Sequence, residues 1–316
     1  MTAIVYGQYG PPGVLELQEV EQSSPTGDEV LVRLHASSIN SWDWDILTGT
    51  LQGRIGGLRK PRYPILGADI AGRVEAVGKN VTDYRVGDEV FGDISADGWG
   101  GLAEYVSVSE TALAPKPKSA TFEQAAAMAQ AAVLALQGLR HKGRIQPGQH
   151  VLINGAGGGV GTFAVQLAKL FGAGVTAVDL GGKLDLLSSI GSDHVIDHTQ
   201  EDFTRSGMRY DLVLDVVATR STFAHRRALT LDGRYVVVGG TTGVLAQTLV
   251  LGLGGTRKTS VLTHQPNRQD LTYLSELFSS GSVLPIIDSS HPLSESAEAF
   301  RHFGGGQHTG KIVIEV

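Results

Sequence analysis

The stretch that decides the fold is VLINGAGGGVG, which occupies residues 151–161. A short apolar run precedes five glycines in seven residues, and VGTFAVQLAKLFGA follows with apolar residues at helical spacing. Glycines between a strand and a helix let the backbone approach a pyrophosphate, whose charge the N–H groups of the helix N-terminus stabilise. The strict GxGxxG spacing is absent, because its third glycine position is Val160 counted from Gly155 and Thr162 counted from Gly157; glycine recurs instead at every third position, at 155, 158 and 161. The stretch predicts a phosphate-binding turn, and the alternative is a merely flexible turn.

Strand-like and helical segments alternate after residue 150. The strand candidates are VLIN, VTAVD (175–179), HVIDH (194–198), DLVLDVV (211–217) and RYVVVGG (234–240). Near-continuous apolar strands that alternate with helices indicate a parallel sheet covered on both faces. Asp179 ends the second strand, roughly 20 residues beyond the glycine loop, where dinucleotide folds place the acid that binds the ribose. This rhythm predicts a Rossmann dinucleotide-binding domain.

Length, composition and charge limit the kinds of protein that this chain can be. A length of 316 residues suits two domains, and the first 120 residues read as β-rich. The net charge of −6 argues against a nucleic-acid partner. The chain has no cysteine, which excludes disulfides and thiolate metal sites. We see no signal peptide and no apolar stretch of bilayer length, so we expect a cytoplasmic protein without an integral membrane segment.

Several long motifs occur in an order that resembles a known family. They are PILGADIAGRVEAVG (64–78), GDEVFGD (87–93), GGLAEYV (100–106), GAGGGVGTFAVQLAK, GSDHVID and the closing GKIVIEV. The chain resembles the medium-chain dehydrogenase/reductase superfamily, and within it the zinc-free quinone oxidoreductase-like branch. The resemblance covers nearly the whole chain.

The resemblance implies an α/β fold with two domains. Residues 1–121 and 269–316 are expected to form a GroES-like, β-rich catalytic domain, and residues 122–268 the inserted Rossmann domain with its doubly wound parallel sheet. The active site is expected in the cleft between them. A homodimer is expected, formed through the edge strand TSVLTH (259–264).

The resemblance also implies that no zinc takes part. Zinc-dependent relatives carry a cysteine ligand and a histidine ligand where this chain has Asn40 and Ala68. Without a Lewis acid, the acceptor must already be electrophilic, which favours a quinone or an alkene conjugated to a carbonyl. We therefore expect a small-molecule substrate reduced by hydride from NAD(P)H.

Two groups of residues are expected around the substrate. Asn40 is the first catalytic candidate, because its amide could position the nicotinamide or donate to a substrate oxygen; the alternative is an asparagine that caps a loop. Asp45 lies where relatives often have Tyr or His, although an ionised carboxylate is a poor oxyanion donor. The expected lining residues, which could equally be core packing, are Trp42, Trp44, Tyr63 and Leu134.

The residues expected at the cofactor are carried over position by position. They are Asn40, Gly157, Gly158, Gly159, Val160, Asp179, Lys183, His198, Gly239, Gly240 and Lys311. NADH is slightly favoured over NADPH, because Asp179 can accept a hydrogen bond from a free 2′-hydroxyl and would repel a 2′-phosphate. Lys183 would partly offset that repulsion.

A basic loop, RIGGLRKPR (54–62), stands out in an acidic protein. It is either a solvated loop or a contact for an anionic substrate tail or an anionic membrane surface. Two other functions remain open beside quinone or enone reduction. They are alcohol dehydrogenation, which would require a metal, and a non-catalytic dinucleotide-binding role.

Overall fold

A computed structural model describes residues 1–252 and 258–316, and for Ile55 and Gly56 it describes only the backbone. These residues form fifteen strands, which are β1 Thr2–Val5, β2 Glu16–Glu19, β3 Glu29–Ser38, β4 Asp69–Val77, β5 Glu89–Asp93, β6 Tyr105–Ser109, β7 Leu113–Pro115, β8 His150–Asn154, β9 Gly174–Asp179, β10 His194–Asp197, β11 Tyr210–Asp215, β12 Leu229–Val237, β13 Lys258–Val261, β14 Ile287–Pro292 and β15 Lys311–Glu315. The α-helices are α1 Ser41–Thr48, α2 Phe122–Leu136, α3 Gly159–Leu170, α4 Leu184–Ser189, α5 Thr222–Arg227, α6 Thr242–Leu251, α7 Arg268–Ser279 and α8 Ser296–Gly304.

The chain divides into two compact units. The first comprises Met1–Gln130, Pro266–Gly281 and Pro285–Val316, and the second comprises Ala131–Gln265 and Ser282–Leu284. Sequence reasoning assigned the whole of α2 to the nucleotide domain, whereas the division between the compact units falls within this helix. The backbone N–H of Gln130 donates to Asp69 Oδ1 at 2.9 Å, which ties the first half of α2 to the first unit.

The first unit is built on a seven-stranded sheet that joins both parts of the chain. Its order is β14-β15-β3-β4-β5-β7, and β6 also pairs with β3. The long strand β3 pairs antiparallel with β4, and β15 pairs antiparallel with the end of β3. Ile46, Leu47, Phe300, Ile312 and Ile314 form part of one buried cluster, so α1, α8 and β15 pack together. The backbone N–H of Ile39 donates to the Ile312 carbonyl at 3.0 Å, which places the beginning of α1 beside the beginning of β15.

The second unit is built on a six-stranded parallel sheet in the order β10-β9-β8-β11-β12-β13. Val151, Leu152 and Ile153 of β8 are fully buried, as expected of a strand that is covered on both faces. The strands β9 and β10 lie on one side of β8, and the chain then crosses to β11, β12 and β13 on the other side. In open parallel sheets, a ligand crevice forms outside the carboxyl ends of the strands at such a switch point.

None of the helices in residues 1–252 and 258–316 is long and apolar enough to cross a membrane.

Candidate active site

The glycine loop occupies the switch point of the parallel sheet. The strand β8 ends at Asn154, and α3 begins at Gly159 after an N-cap at Gly158. No side chain hydrogen-bonds to this helix N-terminus as a cap, and the first backbone N–H groups of a helix have no partner in a preceding turn. The loop therefore offers backbone donors and the positive end of the helix dipole to an anion.

Backbone conformation and close packing explain glycine at the two ends of this loop, Gly155 and Gly161. Gly155 has φ of +80°, in the left-handed region that favours glycine. A Cβ on Gly161 would lie 2.2 Å from the carbonyl oxygen of Gly155 and 2.5 Å from Ala156 Cα. A Cβ on Gly157 would lie 2.6 Å from Lys183 Cδ. The predicted pyrophosphate residues, Gly157 to Val160, thus lie in the loop and the first turn of α3.

Asp179 supports the glycine loop from the end of β9. Its Oδ2 accepts from the backbone N–H of Gly157 at 2.7 Å, and its Oδ1 accepts from the N–H of Leu180 at 2.8 Å. Lys183 Nζ lies 3.5 Å from Oδ1, and both side chains are nearly buried. Each carboxylate oxygen can accept two hydrogen bonds, so acceptor capacity remains for a ribose hydroxyl. The exposed His198 follows β10, and its N–H donates to the Asp179 carbonyl at 3.1 Å.

Two further loops meet the glycine loop at this edge of the sheet. A Cβ on Gly155 would lie 2.9 Å from Val217, which follows β11. A Cβ on Gly239, which follows β12, would lie 3.0 Å from the Val216 carbonyl, and Gly240 forms a β-bridge with Ala218. The structure therefore brings Gly239 and Gly240 to the same edge as the glycine loop.

Sequence reasoning missed a buried polar cluster beneath these loops. Asp215, at the end of β11, is fully buried; its Oδ1 accepts from Asn154 Nδ2 at 2.7 Å and its Oδ2 from the Tyr235 hydroxyl at 2.6 Å. His225 Nε2 lies 3.1 Å from Oδ2 without an aligned hydrogen bond, and its ring stacks on Tyr235. Burial raises the pKa of Asp215 and lowers the pKa of His225. Polar residues that end two neighbouring strands, Asn154 and Asp215, were the available signal.

These observations fit a dinucleotide. The loop at the switch point has room only for glycine at its closest contacts, its helix N-terminus has no side-chain cap, and a carboxylate ends the next strand. The residues that would hold the group are the glycine loop at the pyrophosphate and Asp179 at the ribose.

The first unit holds a second buried polar cluster, centred on Asp69. Lys311 Nζ lies 3.0 Å from Asp69 Oδ2 and 3.0 Å from the Ile39 carbonyl, and it donates to Asn40 Oδ1. Asn40 Nδ2 donates to Asp69 Oδ2 at 2.9 Å, and Ser38 Oγ does so at 2.6 Å. Lys311 and Asp69 are 2% and 0% exposed, so this ion pair is shielded from water. Asn40 and Lys311, predicted separately, therefore lie in direct contact.

The start of α1 fixes the backbone of Asn40. Asn40 is the N-cap residue, and its backbone N–H donates to Asp43 Oδ2 at 2.8 Å. The other carboxylate oxygen of Asp43 accepts from the N–H of Gly67 at 2.9 Å. Complete burial raises the pKa of Asp43 to about 7, against the lowering effect of these two hydrogen bonds. The N-cap position matches the loop-capping alternative for Asn40, and its amide contacts are additional to that role.

The other predicted substrate residues differ in their surroundings. Asp45 is partly buried, which raises its pKa, and its Oδ1 accepts from the Thr50 hydroxyl at 3.2 Å. Trp42 is 48% exposed, whereas Trp44 and Tyr63 pack against the apolar core of the first unit. Leu134 is half-buried in α2, within the second unit. A lining role for these side chains stays a prediction.

Metal ligands do not converge in the part of the chain that the structure describes. No group of three or more His, Asp or Glu side chains there is arranged to hold a metal ion. At the two positions predicted to replace zinc ligands, the amide of Asn40 is bound to Asp69 and Lys311, and Ala68 is fully buried. An amide and a methyl group do not fit a tetrahedral zinc site.

Comparisons with known proteins place the chain in a family. Residues 26–118 match the alcohol dehydrogenase GroES-like domain, and residues 190–314 match a family described as zinc-binding dehydrogenase. The chloroplast envelope quinone oxidoreductase homolog of Arabidopsis thaliana is 31% identical, over 100% of this chain and 98% of its own length. The chain belongs to the medium-chain dehydrogenase/reductase superfamily, in its quinone oxidoreductase-like branch.

Two further relatives agree with this placement. The 2-methylene-furan-3-one reductase of Solanum lycopersicum is 36% identical over 99% of this chain and 79% of its own length. The structure of the quinone oxidoreductase from Coxiella burnetii matches with a TM-score of 0.91 and 29% identity, covering 100% of this chain and 99% of that one. The predicted fold class, a GroES-like unit with a Rossmann unit, is confirmed for this member of the superfamily. It is an oxidoreductase that uses a nicotinamide cofactor.

Proposed function

We propose that this protein reduces quinones or α,β-unsaturated carbonyl compounds with NAD(P)H, without zinc. The observation that carries the proposal is the full-length similarity to a quinone oxidoreductase homolog and to a reductase whose named substrate contains an alkene conjugated to a ketone. The side chains at the replaced zinc positions favour the same chemistry, since the Asn40 amide can donate a hydrogen bond and neither Asn40 nor Ala68 completes a site for a Lewis acid.

The residues of the two units have separate tasks in this reaction. The glycine loop and Asp179 bind the dinucleotide, which supplies the hydride when bound. Asn40 gives one of its two amide hydrogens to Asp69, and the second is available to an oxyanion that develops on the substrate. The Lys311 ammonium at Asn40 Oδ1 polarises the amide and makes its N–H groups stronger donors.

The test is a screen of NADH and NADPH oxidation against quinones, enones and aliphatic alcohols or ketones, with and without a metal chelator. We expect turnover of quinones or enones that the chelator does not reduce, and no stoichiometric zinc by elemental analysis. Activity confined to the alcohol–ketone pairs and lost on chelation would contradict the proposal. Tight cofactor binding without turnover of any acceptor would contradict it as well.

Replacing Asn40 by alanine is expected to lower kcat/KM for the acceptor by roughly tenfold or more, because a donor to the developing oxyanion is lost. Steady-state kinetics with saturating cofactor measures the effect. Ser38→Ala is the matched control, because Ser38 is equally buried and donates to the same oxygen of Asp69. Equal losses in the two variants would assign Asn40 to support of the buried cluster alone.

We infer a preference for NADH over NADPH. Asp179 carries its charge at the end of β9, where it would accept from a free 2′-hydroxyl and repel a 2′-phosphate. The nearby Lys183 ammonium lessens that repulsion without supplying the planar, two-pronged donor set of an arginine.

The double variant Asp179→Ser, Gly182→Arg is expected to narrow or reverse the ratio of kcat/KM for the two cofactors. Gly182 is exposed and a Cβ there would meet nothing within 4 Å, so an arginine fits. The matched control is Gly182→Gln, which adds a side chain without a charge. A wild-type enzyme that prefers NADPH severalfold would overturn this role of Asp179.

We also propose that the protein is a homodimer. The strand β13 lies at one end of the parallel sheet, and the unpaired side of an edge strand is a template for a second chain. Light scattering on the purified protein should give twice the mass of the chain, and a monomeric mass would overturn the proposal.

A further inference from the structure

The basic loop combines cations that have no acidic partner among the described residues with the most exposed large apolar side chains that the structure describes. Its cations are Arg54, Arg59, Lys60 and Arg62, and the sequence contains no Asp or Glu between Asp45 and Asp69. Leu58, within the loop, is 81% exposed, and Leu51, just before it, is 76% exposed. Cations and bare leucines on one short segment are the two components of an interfacial membrane contact.

The loop backbone is held in place by Tyr9 and Arg54, and the side chains of Leu58, Arg59 and Lys60 are exposed. The Tyr9 hydroxyl donates to the carbonyl of Gly57 and lies 3.3 Å from that of Lys60. Arg54 Nε donates to the Gly49 carbonyl at 2.8 Å, and its guanidinium lies 5.0 Å from the centre of the Tyr9 ring. Arg54 Nη1 also lies 3.5 Å from the Leu58 carbonyl, which brings a cation close to the exposed leucine.

The cations of the loop have no acidic partner within the described residues, and Arg59, Lys60 and Arg62 are exposed. The protein as a whole carries a net charge of −6, which repels an anionic surface at long range. Screening limits each charge to roughly 10 Å at 0.1 M salt, so the charges nearest the surface decide the attraction. A local cluster of cations can therefore attract an acidic protein to an anionic surface, with this loop facing the surface.

We propose that the basic loop, with Leu51, docks the protein on an anionic lipid bilayer. A free anion, such as the phosphates of a coenzyme A tail, would engage the cations and leave both leucines in water. A bilayer engages both components, because anionic headgroups attract the cations and the boundary with the acyl chains accepts the leucines. The exposure of Leu51 and Leu58 therefore decides between the two occupants.

Docking through this loop has a consequence that rests on the proposed function. The loop follows α1, and a Cβ on Gly53 would lie 2.0 Å from the Asp45 carbonyl, so the segment packs directly on the helix that carries Trp42 and Asp45. A bound protein would hold that helix near the bilayer, where quinones with apolar tails dissolve. The lipid bilayer would then be the source of the substrate.

The experiment measures sedimentation of the full chain with vesicles of phosphatidylcholine alone or mixed with phosphatidylglycerol. We expect binding to the mixed vesicles, weakened by added salt, and little binding to phosphatidylcholine alone. The double variant Arg59→Glu, Lys60→Glu and the single variant Leu58→Asp should each lower the partition coefficient by about tenfold or more. Two matched controls lie in the second unit. The double variant Arg226→Glu, Arg227→Glu controls for the change of charge, and Leu231→Asp controls for the loss of an exposed leucine, since Leu231 is 68% exposed.

Vesicle binding does not depend on turnover, so its outcome is separate from that of the acceptor screen. The loop variants should retain the wild-type Tm and the wild-type oxidation of NADH by a water-soluble quinone, since Leu58, Arg59 and Lys60 are surface residues. Absence of binding to anionic vesicles overturns the proposal, as does an equal loss in the control variants. If the vesicles do not bind but coenzyme A does, and calorimetry shows that the Arg59→Glu, Lys60→Glu variant has lost that binding, then the loop is a site for a free anion and the proposal is overturned.

Discussion

Replacing Gly161 by alanine is expected to destabilise the protein by about 1–3 kcal/mol or more and to abolish dinucleotide binding. In an ordinary helix the same change would stabilise by about 1 kcal/mol, because glycine is the poorer helix former. Here the new Cβ would meet the Gly155 carbonyl oxygen at 2.2 Å and Ala156 Cα at 2.5 Å. These are backbone atoms, so the whole glycine loop must move. Thermal unfolding and a fluorescence titration with NADH measure the two effects.

Gly182→Ala is the matched control for this substitution. A Cβ at that position would meet nothing within 4 Å, and we expect wild-type stability and affinity for NADH. Wild-type behaviour of the Gly161 variant would contradict the close approach of the loop to α3. A loss of stability with retained affinity would separate the packing of the loop from its role as a phosphate cradle.

Replacing Lys311 by methionine is expected to cost about 3–5 kcal/mol of unfolding free energy, because it leaves a buried carboxylate without its counter-charge. Asp69 would retain hydrogen bonds from Ser38, Asn40 and the Gln130 N–H, which satisfy its oxygens without neutralising its charge. Asp69→Asn removes that charge. The double variant should therefore be less destabilised than the sum of the two single variants, as measured by denaturant unfolding.

Lys169→Met provides the comparison on the surface. Lys169 Nζ lies 2.8 Å from Asp193, and the two side chains are 34% and 44% exposed. A pair in that environment is worth at most about 1 kcal/mol, because water and salt screen it. If the Lys169 and Lys311 variants lost similar amounts of unfolding free energy, the shielded environment assigned to Lys311 and Asp69 would be contradicted.

Local sequence patterns made the nucleotide-binding unit predictable from the sequence. The apolar strands, the glycine loop and Asp179 lie within a few tens of residues, and their spacing follows the regular alternation of strands and helices. The structure adds what Asp179 contacts: its carboxylate holds the Gly157 N–H, a contact across 22 positions that spacing alone does not give. The NADH preference drawn from Asp179 stays a prediction.

Contacts across the chain were beyond sequence reasoning. Asn40 and Lys311 were each placed near the cofactor by resemblance, but their direct contact depends on β15 returning beside β3. The cluster around Asp215 was missed for the same reason, since it needs side chains from β8, β11, β12 and α5. A single sequence carries periodicity along each element, and it does not state which buried polar groups meet.

The pairing of β15 with β3 also sets an order of assembly during synthesis. Val313 lies opposite Ser38 and Glu315 opposite Ala36, so the first unit cannot finish its sheet until residue 315 has left the ribosome. The second unit consists almost entirely of the continuous segment Ala131–Gln265 and has no such delay. Until β15 arrives, the end of β3 exposes unpaired backbone groups, which are a template for aggregation. We therefore expect nascent chains stalled before Lys311 to depend on chaperones, although their nucleotide-binding unit is already folded.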